Sequence, residues 1–345
     1  MRRSTMIALV SLAATTATAL AQTREQNWAW CQDTRVADLA IGGCTAIIQS
    51  GRETTENLSI AFYNRAIAHG VKGDHDRAIA DYDQAVRLDA NNAKAYYGRA
   101  NAYYNKRDYQ RSISDFDQAI RLSPNVARYY SDRADAYDNL GQFDRALADY
   151  DRGIRLDPAD GSIYYNRGIA YAGAGQYERA LVDYDQAIKL NPQDAAANKY
   201  RGQSNFYLAR YGAAAADLGR AFELGRDDAY VALWQHLALI RDRRPGESKL
   251  RDHAAKLDAN KWPAPVIRMY LGTTTADQLL AAARNADPKT ARDQLCEAYF
   301  YLGQAALNRG DRGEAARLFQ LTVDTGPTTF IEYKAAKAEL ARLGR

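Results

Sequence analysis

Histidine, cysteine, methionine and proline are all scarce in this 345-residue chain, at 4, 3, 3 and 8 copies. So few histidines and cysteines leave little material for a metal cluster, and three cysteines cannot build a disulfide-dense scaffold. No stretch of about 18 consecutive apolar residues is present, and the mean hydropathy of -0.52 argues against a membrane bundle. Charge of one sign is missing too. The balance is 46 Lys plus Arg against 42 Asp plus Glu, evenly mixed, so neither nucleic acid nor an acidic partner is implied. What the chain does have is 24 tyrosines and 26% charged residues, and both need a positional explanation.

The N-terminus reads as an export signal. Arg2 and Arg3 precede the apolar run Met6–Ala14, and Ala19-Leu20-Ala21 offers a small-x-small cleavage site before Gln22. Cleavage after Ala21 is expected, giving a periplasmic protein without a membrane span. A lipid anchor needs Cys as the first mature residue; Gln22 occupies that place and the nearest thiol is Cys31.

A 34-residue period fills the middle of the chain. Five units start at Ser59, Ala93, Ala127, Gly161 and Ala195, and the last ends at Asp228. Unit position 8 holds Ala66, Ala100, Ala134, Gly168 and Gly202, and position 27 is equally small. Position 24 carries Tyr82, Phe116, Tyr150 and Tyr184, while positions 4 and 11 are mostly Tyr. Small residues let two helices approach and rings fill the space beside them, so most of the tyrosine belongs to a packed core. Gly73, Gly141 and Gly175 mark turns between paired helices, and Pro124, Pro158 and Pro192 mark the next connection.

This pattern resembles the tetratricopeptide repeat. The resemblance implies an all-α solenoid, a right-handed superhelix of helical hairpins whose first helices line a concave surface. Units 93–126, 127–160 and 161–194 match best. Unit 59–92 shares the register, and unit 195–228 replaces rings with Asn198, Asn205 and Leu218.

Counting back one period gives a degenerate hairpin over residues 22–58, with Cys31 and Cys44 at facing positions. In an exported chain a disulfide is the favoured reading, and two buried free thiols are the other. Cys296 is left over. Counting forward, the register fails after Asp228. Tyr230 to Arg241 reads as a further first helix, within an irregular helical segment at 229–295. A further unit follows at 296–329, and a capping helix at 330–345 is expected to turn Ala and Leu inward and Lys and Arg to water. The runs ALWQHLAL, KWPAPVIRMYLG, CEAYFYLGQAALNRGDRGEAARLFQ and FIEYKAAKAELARLG resemble the NlpI family of cell-envelope lipoproteins. That likeness implies a homodimeric adaptor linking a periplasmic protease to peptidoglycan hydrolases.

No catalytic constellation stands out, and neither a cofactor nor a metal is expected. Arg65, Arg99, Arg133, Arg167 and Arg201 share position 7, and Asp81, Asp115, Asp149, Asp183 and Asp217 share position 23. A feature repeated in every unit belongs to the unit, so these read as inter-helix ion pairs. Asp83, Asp117, Asp151 and Asp185 read as solvated. Positions 5, 9, 12 and 13 of the concave face supply candidate peptide contacts: Tyr63, Tyr97, Asn101, Tyr104, Asn105, Asp135, Asp138, Asn139, Tyr165, Phe206 and Tyr207. Some of these rings fill gaps between hairpins on the competing reading. The expected function is therefore a non-catalytic scaffold for proteins or peptides, with envelope proteases and murein hydrolases as partners; a general peptide-binding or assembly module for secretion or envelope biogenesis is the alternative.

Overall fold

The computed structural model describes residues 23–225, 228–328 and 330–344, so the export signal read in residues 1–21 lies outside the described residues. Among the described residues there are 19 helices and no strand, and no helix is long and apolar enough to cross a membrane. The chain divides into two compact units, residues 1–124 and 125–345, taken here in turn.

The first unit holds three hairpins: α1 (Arg24–Gln32) with α2 (Ala37–Gln49), α3 (Thr55–Val71) with α4 (His75–Leu88), and α5 (Ala93–Asn105) with α6 (Tyr109–Leu122). Short polar side chains start most of these helices by accepting a backbone N–H of the first turn, as Thr54, Asp74, Asn92 and Asp108 do. Helix α3 begins at Thr55, four residues ahead of the unit start read from the period. Cys31 and Cys44 are joined in a disulfide that ties α1 to α2. The Tyr82 ring leaves no room for a side chain at Gly98: an added Cβ would lie 2.4 Å from it.

The second unit continues with α7 (Ala127–Asn139), α8 (Phe143–Leu156), α9 (Gly161–Gly173), α10 (Tyr177–Leu190), α11 (Ala195–Tyr207), α12 (Tyr211–Leu224) and α13 (Ala229–Arg241). The short helices α14 (Glu247–Ala254), α15 (Ala264–Tyr270) and α16 (Ala276–Ala282) follow, then α17 (Pro288–Asn308), α18 (Arg312–Thr325) and α19 (Ile331–Arg342). The period runs further than the sequence suggested. Arg243 has a left-handed φ of 57°, one 34-residue step beyond Ala209 at 59°, so α13 closes with the same turn as the helix one period before it. In the other direction α17 starts at Pro288, eight residues before Cys296, because Asp287 caps it by accepting from Thr290.

Ring-into-gap packing recurs within hairpins of this unit. An added Cβ at Gly168 would meet the Tyr184 ring at 2.7 Å, and at Gly303 the Phe319 ring at 2.7 Å. Arg–Asp pairs bind the same helices together. Arg133 and Arg167 grip Asp149 and Asp183 through Nε and Nη2 at 2.6 to 2.8 Å, as Arg65 and Arg99 grip Asp81 and Asp115 in the first unit. The aspartates two residues on are not merely solvated. Asp151 and Asp185 accept from Arg167 and Arg201 of the following hairpin at 2.5 and 2.8 Å, and Asp83 from Arg99 at 2.6 Å. Each such Arg therefore bridges two hairpins.

Helix α19 turns Ala335, Ala336 and Leu340 inward and Lys334, Lys337 and Arg342 outward as expected, but it also buries two acids. Glu332 and Glu339 are both buried in its seat. Arg241 and Arg342 compensate Glu339 at 2.9 and 3.0 Å. Glu332 has no such cation; the Tyr301 hydroxyl donates to it at 3.5 Å. Burial, reinforced by the charge of Glu297, raises the Glu332 carboxyl above its ordinary range, and burial raises Glu297 too, against hydrogen bonds from Trp262 and Tyr230. A carboxyl whose pKa is higher folded than unfolded holds its proton more tightly in the native state. It therefore costs stability as pH climbs above about 4.3, the unfolded value. Glu332→Gln removes that cost. Thermal melts should show the variant at or above the parent near about pH 8 and at or below it near about pH 5; a parent that gains on the variant with rising pH would contradict the burial argument.

Candidate functional site

First helices α7, α9 and α11 pack side by side in the second unit, and α19 contributes a further wall. Between them lies a cleft of about 520 Å³. Asp138 and Asn139 reach it from α7, Ile169, Ala172 and Gly173 from α9, and Lys199, Tyr200, Gln203, Ser204 and Tyr207 from α11; Phe143, Tyr177 and Tyr184 come from the second helices, and Ile331 and Lys334 from α19.

Its walls are rings. Tyr177 stacks on Tyr207 with centroids 4.8 Å apart and planes 18° from parallel, and Tyr200 lies 6.4 Å from Tyr184 in a looser stack. The Tyr207 hydroxyl donates to the Ile331 carbonyl at 3.1 Å, which fastens the start of α19 to the rim. Two polar atoms are different. The Tyr184 hydroxyl and Oδ1 of Asp138 are buried without a hydrogen-bond partner. A buried polar group left this way costs about 1–3 kcal/mol, which a suitable ligand atom would offset. Burial raises the Asp138 carboxyl above its usual range against the field of Lys334. Lys199 is already taken, pairing with Asp228 at 2.7 Å.

The sequence-derived candidates divide. Asp138, Asn139 and Tyr207 line the cleft. Tyr165 sits behind it, edge-on to Tyr200 at 5.7 Å. In the first unit Tyr63, Tyr97 and Tyr104 are half-buried against Tyr82, Phe116 and Tyr109 of their own hairpins, at 6.0, 5.9 and 5.4 Å, so they serve as hairpin fillers. Asn101 is half-buried beside them and Asn105 is exposed. Phe206 is not a groove residue: it is 1% exposed, locked edge-on against Trp234 at 5.0 Å, because α13 covers the place where a free concave face was expected. Asp135 points inward, accepting from the Tyr150 hydroxyl and from the Asn166 amide at 3.2 Å. Tyr184, Tyr200, Tyr177 and the α19 residues were missed. Ile169, Ala172, Gly173 and Gln203 were legible, since they occupy positions 9, 12 and 13 of their units.

With these positions in place the comparisons become informative. Residues 63–127, 135–175 and 162–194 match models of the tetratricopeptide repeat. The chain carries tetratricopeptide repeats. A tetratricopeptide repeat protein from Parabacteroides merdae superposes with a TM-score of 0.52 at 15% identity, covering 83% of this chain and 99% of that one, which supports the fold. Two shorter structures also align. YrrB, described as a tetratricopeptide repeat protein with an unusual peptide-binding site, is 26% identical over 55% of this chain and 95% of its own, with a TM-score of 0.45. MamA from Desulfovibrio magneticus is 24% identical over 50% and 97%, with a TM-score of 0.47.

Chemically, the cleft of this repeat protein offers hydrogen bonding, ring contact and one carboxyl oxygen without a donor. Among the described residues no three His, Cys, Asp or Glu side chains converge as metal ligands. Asp135 gives a direct check on the electrostatics of the repeat face. Burial is the largest influence on it, opposed by the Tyr150 and Asn166 hydrogen bonds, and its carboxyl is pushed up to about 7. A ¹³C carboxyl titration followed by NMR should place its midpoint near that value, and Tyr150→Phe should move it higher because a donor to the charged form is lost. A midpoint in the ordinary range, near about 4, would contradict the burial assigned to it.

Proposed function

We propose that this chain is a non-catalytic scaffold that holds an extended segment of a partner protein in the cleft between α7, α9, α11 and α19, and that it works in the bacterial cell envelope. The observation that carries the reading is the pair of unpartnered buried atoms, the Tyr184 hydroxyl and Asp138 Oδ1, inside a ring-walled cleft. Rings provide contact area at low conformational cost, and Asn139, Gln203 and Ser204 can pair with a peptide backbone. Export is supported by the signal-like residues 1–21, and the Cys31–Cys44 disulfide is compatible with an oxidising compartment.

The likeness of the C-terminal third to the NlpI family favours envelope proteases and peptidoglycan hydrolases as partners, with a homodimer as the assembled form. Affinity capture from a periplasmic extract tests this. Recovery of a C-terminal processing protease or a peptidoglycan hydrolase is expected, falling about tenfold with the combined Tyr177→Ala and Tyr200→Ala change, as for loss of two interface rings. If neither enzyme class is recovered, or if the change has no effect on a chain whose circular dichroism is intact, the proposal fails.

A further inference from the structure

We infer that the cleft takes a basic side chain, Lys or Arg, of the bound segment, seated between the Asp138 carboxylate and the Tyr184 hydroxyl; the inference rests on the cleft being a peptide site. The argument starts from what the two atoms can do. An ionised carboxylate only accepts hydrogen bonds, and a phenol oxygen accepts as well as donates. Two buried acceptors in one cleft, both without a donor, call for a ligand group with several N–H bonds. A backbone amide brings one; an ammonium brings three and a guanidinium five.

The placement is built rather than incidental. Tyr184 is 0% exposed, and its ring is clamped over Gly168, so its hydroxyl cannot swing out to water. Burial is the main cause that raises the Tyr184 hydroxyl, with the fields of Tyr165, Tyr200, Asp183 and Asp138 adding to it, and Asp138 and Tyr184 line the same cleft. Nearby cations do not satisfy the site. Lys199 is held by Asp228 at 2.7 Å, and Lys334, exposed on α19, acts on Asp138 through its field without a hydrogen bond to Oδ1. The stacked Tyr177 and Tyr207 rings and Tyr200 suit the methylene stem and charged head of a basic side chain. Acidic segments would bring a like charge to Asp138, and apolar ones would leave Oδ1 without a donor.

The test is selection of a random nonapeptide phage library on the immobilised full chain, followed by fluorescence anisotropy of the enriched peptides. Enriched sequences should share a Lys or Arg whose replacement by Gln weakens binding about tenfold, the scale of a partly buried charge pair. The isosteric Asp138→Asn should abolish that difference between basic and Gln peptides, and Lys334→Ala should tighten the basic peptides by removing a competing cation. Peptides that depend on Tyr200 but carry no basic residue, or that bind Asp138→Asn equally well, overturn the inference and leave the cleft reading standing. No enrichment, or binding untouched by a folded Tyr200→Ala chain, overturns both.

Discussion

Two helices can close on each other only where one surrenders its side chain to the other's bulk, and every hairpin of the repeat depends on that exchange. Tyr184 over Gly168 and Phe319 over Gly303 show it directly, and Ala66, Ala100 and Ala134 hold the same place, fully buried, in three earlier hairpins. A ring buried this way contributes about 2 kcal/mol from area alone, and a cavity or a clash at the same point costs at least as much. One hairpin still leaves an apolar flank, so it must stack on the next. Stacking sets first helices α7, α9 and α11 side by side, and the cleft is the space that their faces leave.

Charge then fixes the register that apolar packing alone leaves loose. Desolvation cancels much of the attraction in such pairs, so their value lies in direction. Arg167 shows how. It spans from Asp183 of its own hairpin to Asp151 of the one before, both sixteen residues away along the chain, and Arg201 repeats the pattern with Asp217 and Asp185. A slip of one residue would break both contacts at once.

How much of this could be read beforehand depends on whether the cause is local. The 34-step alternation is local, so the hairpins, the Arg–Asp pairs and the cysteine pairing were all within reach. Turn glycines were only half the signal: Arg107 and Ala209 adopt φ values of 61° and 59° at the places where Gly73, Gly141 and Gly175 sit in other units, so the turn forms there without glycine. Phe206 was misplaced because its neighbour α13 carries Trp234, a fact about the next helix rather than about the repeat. The α19 wall of the cleft comes from more than a hundred residues downstream of α11, and no spacing rule joins Ile331 to Tyr207. Tyr184 was the subtlest case. Its position marks it as core, which it is, yet its hydroxyl is also the buried tip facing the cleft.

That double duty connects fold to function: the ring that lets α9 and α10 approach is the one that carries an unsatisfied oxygen into the binding space. The direct measurement is a double-mutant cycle in urea between Gly168→Ala and Tyr184→Leu. If ring and gap are made for each other, Gly168→Ala destabilises the parent by about 1–3 kcal/mol but costs much less in the Tyr184→Leu background, a coupling well above the additive limit. Strictly additive effects would mean that the two positions do not depend on one another, and the packing account of the repeat would be contradicted.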